Sequence, residues 1–293
     1  MKNTPQPEID VHEPYSIQDH WITLDGARMR YLRDGYGPPL VLLHGLLGYS
    51  FSWRYAIPFL AQQATVHAVD MLGMGFSDRP PGLDVRQKAC AERVLRFLDA
   101  VGLESCDLLG TSHGGAVAMM VAAMAPERIH RLILVAPVNP WSANGSTLAA
   151  IVGSPAVAPV FLGMAPHMKI LHGYLLRCLF GDPARIRPGT LEGYTAPLAI
   201  PGALESGVRI VKTWKEDLQE LKAVLPRIAH IPTLLVWGNV DIAVDPKSAG
   251  PLSRNFRDCR VVMFEGVGHL PYEEAIEDFN YTVAEFLAPI PVR

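Results

Sequence analysis

One stretch of this chain cannot be read as a single regular element. Residues 106–109, apolar but for Asp107, have the length of a short buried strand, and from Gly115 the pattern turns to Ala116-Val117-Ala118-Met119-Met120-Val121-Ala122-Ala123, small and helix-compatible. Between them stands Gly110-Thr111-Ser112-His113-Gly114. A serine on the joint between a strand and a helix needs a turn so sharp that its own backbone is strained. Its neighbours two places away on either side must then be nearly free of side chain, a demand that Gly110 and Gly114 meet. Such a joint, a nucleophile elbow, lifts the Ser112 hydroxyl above the sheet. It also places the His113 backbone N–H at a helix N-terminus, where negative charge is stabilised. With 25 glycines among 293 residues, G-x-S-x-G arises by chance in about one such chain in ten, so the pattern needs support from its surroundings.

The bulk composition restricts the classes that support can come from. A chain of 293 residues with 49% hydrophobic and 19% charged residues is globular and long enough for a large core. A net charge of −3, with lysine and arginine scattered, gives no electrostatic reason to expect a nucleic-acid partner. Cys90, Cys106, Cys178 and Cys259 are widely spaced, and the first two fall in apolar helix and strand patterns that suit free buried thiols. None of the 10 histidines has a metal-ligand spacing. Residues 1–18 are polar and proline-containing, without the apolar centre of a signal peptide, so a cytoplasmic location is the expectation.

Strand and helix patterns alternate along the chain. Residues 20–26 and 27–33 read as two strands joined at Asp25-Gly26, a favoured hairpin turn. Strands follow at 39–43, 66–70, 106–109 and 132–135, the first three reading as buried, and again at 233–237 and 260–264. Helices are expected at 52–62, at 85–101 with Gly102 as C-cap, from the elbow to 125, and at 273–287. The expectation is an α/β fold with a mostly parallel sheet covered on both faces. The alternation fails between 135 and 233, where proline-broken helical sequence reads as an inserted cap over the carboxyl ends of the strands. The predicted division is a core of 1–139 and 225–293 with a cap of 140–224. Residues 132–168 contain no Asp, Glu, Lys or Arg, yet prolines, glycines and asparagines interrupt every window of the roughly 20 apolar residues that a membrane span needs. A cap that dips into an apolar surface is the membrane-related alternative.

A serine hydroxyl is a poor nucleophile until a base takes its proton, and the base needs an orienting group. In an elbow fold the order along the chain is serine, acid, histidine. His269, in Gly266-Val267-Gly268-His269-Leu270-Pro271 directly after the last strand, stands where a base belongs. Two aspartates follow the preceding strand. Asp241 lies nearer its end and is preferred, and Asp245 is the competitor; either could instead serve as a turn former. The oxyanion that develops on acyl transfer needs donors. The His113 N–H is one, and the Leu46 N–H, in the loop opened by His44-Gly45, is the candidate for the second. His44 itself reads as a structural hydrogen-bonding residue.

Four blocks in this order resemble the α/β-hydrolase superfamily: His44-Gly45-Leu46-Leu47-Gly48, the stretch from Asp70 through Gly73 and Gly75 to Asp78, Gly110-Thr111-Ser112-His113-Gly114, and Gly266-Val267-Gly268-His269. Trp237-Gly238-Asn239-Val240-Asp241 stands between the last two. Tyr194-Thr195-Ala196-Pro197-Leu198 followed by Pro201-Gly202-Ala203 is similar to the cap of this group. The resemblance implies Ser112 as nucleophile, His269 as base, Asp241 as acid, Leu46 and His113 as oxyanion donors, and no cofactor or metal. It also orders the reactions. Relatives that open epoxides or carbon–halogen bonds attack with an elbow aspartate, where this chain has Ser112. Relatives that cleave carbon–carbon bonds in vinylogous diketones use serine, with a Gly-Pro-Gly-type loop and a tryptophan after the histidine, where this chain has Leu46-Leu47-Gly48 and Leu270. Peptidase relatives carry an acidic cluster in the cap, absent from the uncharged start of this one. The expected activity is hydrolysis of apolar small-to-medium carboxylic esters, with Trp141, Phe161 and Met164 as candidate pocket residues. A carbon–carbon hydrolase or lactonase, or a ligand-binding protein on the same scaffold, is the alternative.

Overall fold

Two-residue periodicity along the strands divides the core of the molecule into two layers. In β3 (Pro39–Leu43), Val41 and Leu43 face one apolar cluster while Leu40 and Leu42 face another. β7 (Thr233–Gly238) repeats this with Leu235 and Trp237 against Leu234 and Val236. Successive side chains of a strand point to opposite faces, so a run that is apolar throughout must be buried on both. The computed structural model describes residues 18–142, 154 and 169–288. Its eight-stranded sheet has the order β1-β2-β4-β3-β5-β6-β7-β8. The remaining strands are β1 (Gln18–Leu24), β2 (Ala27–Asp34), β4 (Thr65–Val69), β5 (Cys106–Thr111), β6 (Ile129–Val135) and β8 (Cys259–Phe264). β1 and β2 form the predicted hairpin, with Asp25 and Gly26 at φ 51° and 81°, the mirror-image turn that matches strand twist. β2 lies antiparallel to β4, and from β4 to β8 all pairings are parallel.

Helices close both faces. α2 (Gln87–Ala100) and α3 (His113–Met124) pack in the first cluster, and α2 ends where predicted, with Gly102 at φ 74°. The short α1 (Ile57–Leu60) packs in the second. The helix expected at 52–62 is divided into a 3₁₀ turn at Ser50–Trp53 and α1. Pro58 is the cause, since it has no N–H to donate to the Arg54 carbonyl of a continuous helix. Between β6 and β7 the described residues hold α4 (Lys169–Leu179), α5 (Thr190–Thr195) and the 22-residue α6 (Ala203–Val224), and no strand. α7 (Ala249–Ser253), α8 (Pro271–Glu274) and α9 (Ile276–Leu287) complete the chain, the last giving Phe279, Val283 and Leu287 to the second cluster. Because β3 to β8 are parallel, the loops carrying His44, Ser112, Asp241 and His269 all leave the same edge of the sheet. No helix among the described residues is long and apolar enough to cross a membrane.

The elbow is where packing is tightest. A Cβ on Gly114 would lie 2.3 Å from the His44 carbonyl oxygen and 2.5 Å from that of Leu43. One on Gly250, in α7, would meet only Arg254 Nη1, at 3.9 Å. Gly114→Ala should therefore cost about 1–3 kcal/mol or more through overpacking. Gly250→Ala should be neutral or stabilising by up to about 1 kcal/mol, as usual inside a helix. Urea unfolding of the two variants checks the contrast.

Candidate active site

From Cys106 to Ala123 every residue is buried except Ser112. Its backbone sits at φ 52°, ψ −120°, a region that L-residues seldom enter. The Ser112 N–H donates to the Val135 carbonyl at 2.9 Å, and its own carbonyl accepts from Gly115, Ala116 and Val138. Those bonds hold the strained residue from both sides. A Cβ on Gly110 would lie 2.4 Å from the Gly114 oxygen, so both elbow glycines are sterically required, as the sequence indicates. Gly115 joins them, since a Cβ there would come within 2.6 Å of Pro137.

The loop after β3 meets the elbow at Gly45, whose Cβ would lie 3.2 Å from Ser112 Cβ and 3.8 Å from Ser112 Oγ. His44 holds this loop with both ring nitrogens: Nε2 accepts from the Met71 N–H at 3.0 Å, so Nδ1 carries the proton and donates to the Gly45 carbonyl at 2.8 Å. Asp70, fully buried, accepts from the N–H groups of Ser50 (2.8 Å) and Phe76 (3.0 Å) and from Arg30 Nη1 (3.2 Å). Two loops are thus tied to the end of β4. Among the described residues, the N–H groups of Leu46 and His113 donate to no protein acceptor; that of His113 is one of the donors any helix leaves free in its first turn.

On the far side of the edge, His269 Nδ1 and Asp241 Oδ2 are 2.7 Å apart and both residues are buried. The other Asp241 oxygen accepts from the N–H groups of Ala243 (2.8 Å) and Val244 (3.0 Å). With Nδ1 engaged, Nε2 is the ring atom left to accept a proton. Asp245 is occupied elsewhere, capping the 3₁₀ turn Pro246–Ser248 through the Lys247 N–H. Of the two aspartates left open by the sequence, the structure brings Asp241 to His269. Trp141 is half-buried, with the Lys222 ammonium 5.8 Å from its ring; Phe161 and Met164 lie outside the described residues.

Two supporting carboxylates escape sequence reading. Glu274, its side chain wholly buried, accepts from the N–H groups of Gly268 (2.9 Å), Gly181 (2.9 Å) and Asp182 (2.8 Å), with Arg185 Nη1 at 3.3 Å. The His269 N–H donates to the Leu179 carbonyl at 2.7 Å. The loop carrying the histidine is therefore stitched to the end of α4. Glu273 pairs with the Arg54 guanidinium and accepts from Tyr194 Oη at 2.7 Å, anchoring α5. Burial pushes its carboxyl up while Arg54 opposes the shift. The available signal was a pair of acids directly following an uncharged loop.

Charge has been removed from the histidines near the elbow. Burial, with a smaller contribution from His44, pushes the His113 imidazole down to about 3. Burial also lowers His44 against the pull of Asp70. Burial thus keeps both rings uncharged at neutral pH. No group of three or more potential metal ligands occurs among the described residues, and the four cysteines are free thiols.

Comparison with known proteins places the fold in a family. A family model described as the alpha/beta hydrolase fold matches residues 38–156. Haloalkane dehalogenase 2 of Mycobacterium tuberculosis is 27% identical, covering 96% of this chain and 97% of its own. The 2-hydroxymuconate semialdehyde hydrolase of a Pseudomonas species is 28% identical over 90% of this chain and 91% of its own. Among solved structures, an alpha/beta hydrolase fold protein from Burkholderia ambifaria superposes with a TM-score of 0.81 at 25% identity, over 92% of this chain and 98% of that one.

The neutral buried histidines make stability depend on pH. Their folded-state affinity for protons lies below the unfolded value of 6.5, with His113 at about 3 and His67 at about 4. The unfolded chain therefore binds more protons. This contribution is complete above pH 6.5 and is lost as pH falls from there toward the folded values, by at most about 1.4 kcal/mol per pH unit for each histidine. Urea titrations between pH 7 and 5 should show the decline. His67→Gln, on β4, should reduce its slope by one histidine's share.

Proposed function

Because the chain belongs to the α/β-hydrolase superfamily, we propose that it is a serine hydrolase cleaving carboxylic esters of apolar, small-to-medium size through an acyl-enzyme. Ser112 Oγ attacks the ester carbonyl while His269 Nε2 takes its proton, and Asp241 stabilises the resulting imidazolium. The negative oxygen is held by the N–H groups of Leu46 and His113, a contribution worth about 10²–10³ in kcat for each donor in enzymes of this type. The alcohol departs with the proton from His269. Water then attacks the acyl carbonyl, His269 again serving as base, and the acid leaves as Ser112 recovers its hydrogen. In this reading residues 140–224 form the cap that covers the substrate, and no cofactor takes part.

The observation that carries the proposal is the buried 2.7 Å pairing of His269 with Asp241, on the sheet edge from which the strained Ser112 protrudes. The dehalogenase likeness does not supply the reaction. Displacement of halide by Ser112 would leave an alkyl ether, which has no carbonyl for water to attack, whereas an elbow aspartate would leave an ester. A second reading, carbon–carbon bond hydrolysis by the same residues, is favoured by the 28% identity to the semialdehyde hydrolase. The Leu46-Leu47-Gly48 loop and Leu270 weigh against it.

Wild type assayed with nitrophenyl esters of increasing acyl length, a lactone and a ring-fission diketone separates these readings. Turnover of the esters with little or none of the diketone is expected; the reverse would establish the carbon–carbon reading. Ser112→Ala and Asp241→Asn should each lower kcat by about 10⁴-fold. Asp245→Asn should stay within a few-fold of wild type, because that side chain caps a turn.

A further inference from the structure

Leu47 stands at φ 56°, in the left-handed region. It is the third residue of the turn Gly45-Leu46-Leu47-Gly48, closed by the Gly48 N–H donating to the Gly45 carbonyl at 3.1 Å. A positive φ at that place is met at no steric cost by glycine, less readily by asparagine, and only with strain by leucine. Something outside the turn must hold a leucine there.

The holding element is α6. A Cβ on Gly207 would lie 2.7 Å from Leu47 Cδ2 and 3.1 Å from Cγ, so the Leu47 side chain rests on bare helix backbone. Glycine inside a helix is unfavourable relative to alanine, and here the absent side chain is what admits Leu47. The same end of α6 also packs on the neighbouring loop: Ser206 Oγ would lie 3.2 Å from a Cβ on Gly73. Leu47, Met74, Arg79 and Ala203 line one small cleft between these parts. One helix of the insertion therefore abuts both loops that leave β3 and β4.

We propose that Leu47 and Gly207 are positioning residues, and that their contact sets the turn which aims the Leu46 N–H at the developing oxyanion. The inference rests on the acyl-enzyme reading for its catalytic meaning. The strained turn relaxes only if Leu47 leaves α6, so the placement of α6 and the placement of the donor are one variable. A shift of the helix away from the core would release the turn and weaken transition-state binding more than substrate binding.

The test uses Gly207→Ala, Leu47→Ala and the double variant of the full-length protein. Gly207→Ala introduces a better helix former but pushes on Leu47. Its Tm should be unchanged or higher, while kcat for p-nitrophenyl butyrate falls about tenfold or more and KM stays within about threefold, as expected when a transition-state donor is misplaced. In the double variant the added methyl meets no leucine, so kcat should return to that of Leu47→Ala alone. The Leu46 amide resonance, observed by ¹H–¹⁵N NMR without substrate, should move from its wild-type position in Gly207→Ala, and in the double variant should coincide with that of Leu47→Ala alone. This second readout separates the two ideas: a wild type inert toward esters defeats the acyl-enzyme reading, while the resonance still reports the turn. Wild-type kcat in Gly207→Ala with an unmoved Leu46 resonance would overturn the proposal. Should Gly207→Ala lose Tm, Leu47→Gly decides. It tolerates the turn without strain but cannot rest on α6, so reduced kcat at retained Tm supports the proposal and wild-type kcat defeats it.

Discussion

Where α3 begins, its first turn touches the backbone of β3 with no side chain between them. The Gly114 Cα faces the carbonyl oxygens of Leu43 and His44, and the Gly110 Cα faces Gly114. That approach bends the chain sharply enough to bring Ser112 out of a segment otherwise wholly buried, and it leaves the His113 N–H at a helix start with no acceptor of its own. In the proposed reaction close packing is converted into chemistry: the bend that strains the serine also leaves free the donor that an acyl transfer there would need. The strain is sustained because hydrogen bonds on both sides of Ser112 tie it to β6 and to the following loop.

Around this bend, buried carboxylates do for the loops what the sheet does for the strands. Asp70 holds the loops after β3 and β4, Asp241 holds His269, and Glu274 joins the histidine loop to the end of α4. Each accepts two or more hydrogen bonds from backbone N–H groups or a charged partner. Such bonds are stronger than neutral ones and offset the cost of taking the charge from water. A loop fastened in this way can carry a reacting group with the precision usually expected of a helix or strand.

Much of this was legible beforehand. Mostly apolar runs of four or five residues marked the parallel strands, Asp25-Gly26 marked the hairpin, and the glycines around Ser112 and before His269 marked the sharp bend and the loop. These are local signals, each contained in a few consecutive residues. The choice between Asp241 and Asp245 was only weakly legible, because both follow β7 closely; it depends on which side chain reaches a residue 28 or 24 positions later in the chain. Glu274 and Arg54 were illegible for the same reason. Their partners lie 93 and 219 residues away, and nothing in a stretch such as Pro271-Tyr272-Glu273-Glu274 distinguishes acids that turn inward from acids on an exposed helix. Leu47 was hidden differently, since a leucine gives no warning that its backbone is left-handed.

The central claim is that Ser112 carries the acyl group during turnover. Rapid acid quenching of the wild-type protein during steady turnover of p-nitrophenyl butyrate, followed by peptide mass mapping, tests it directly. The account predicts a peptide containing Ser112 heavier by one butyryl group, with the adduct gone once substrate is exhausted. Turnover at full rate with that peptide unmodified at every quench time, or with the butyryl group on another residue, would contradict it.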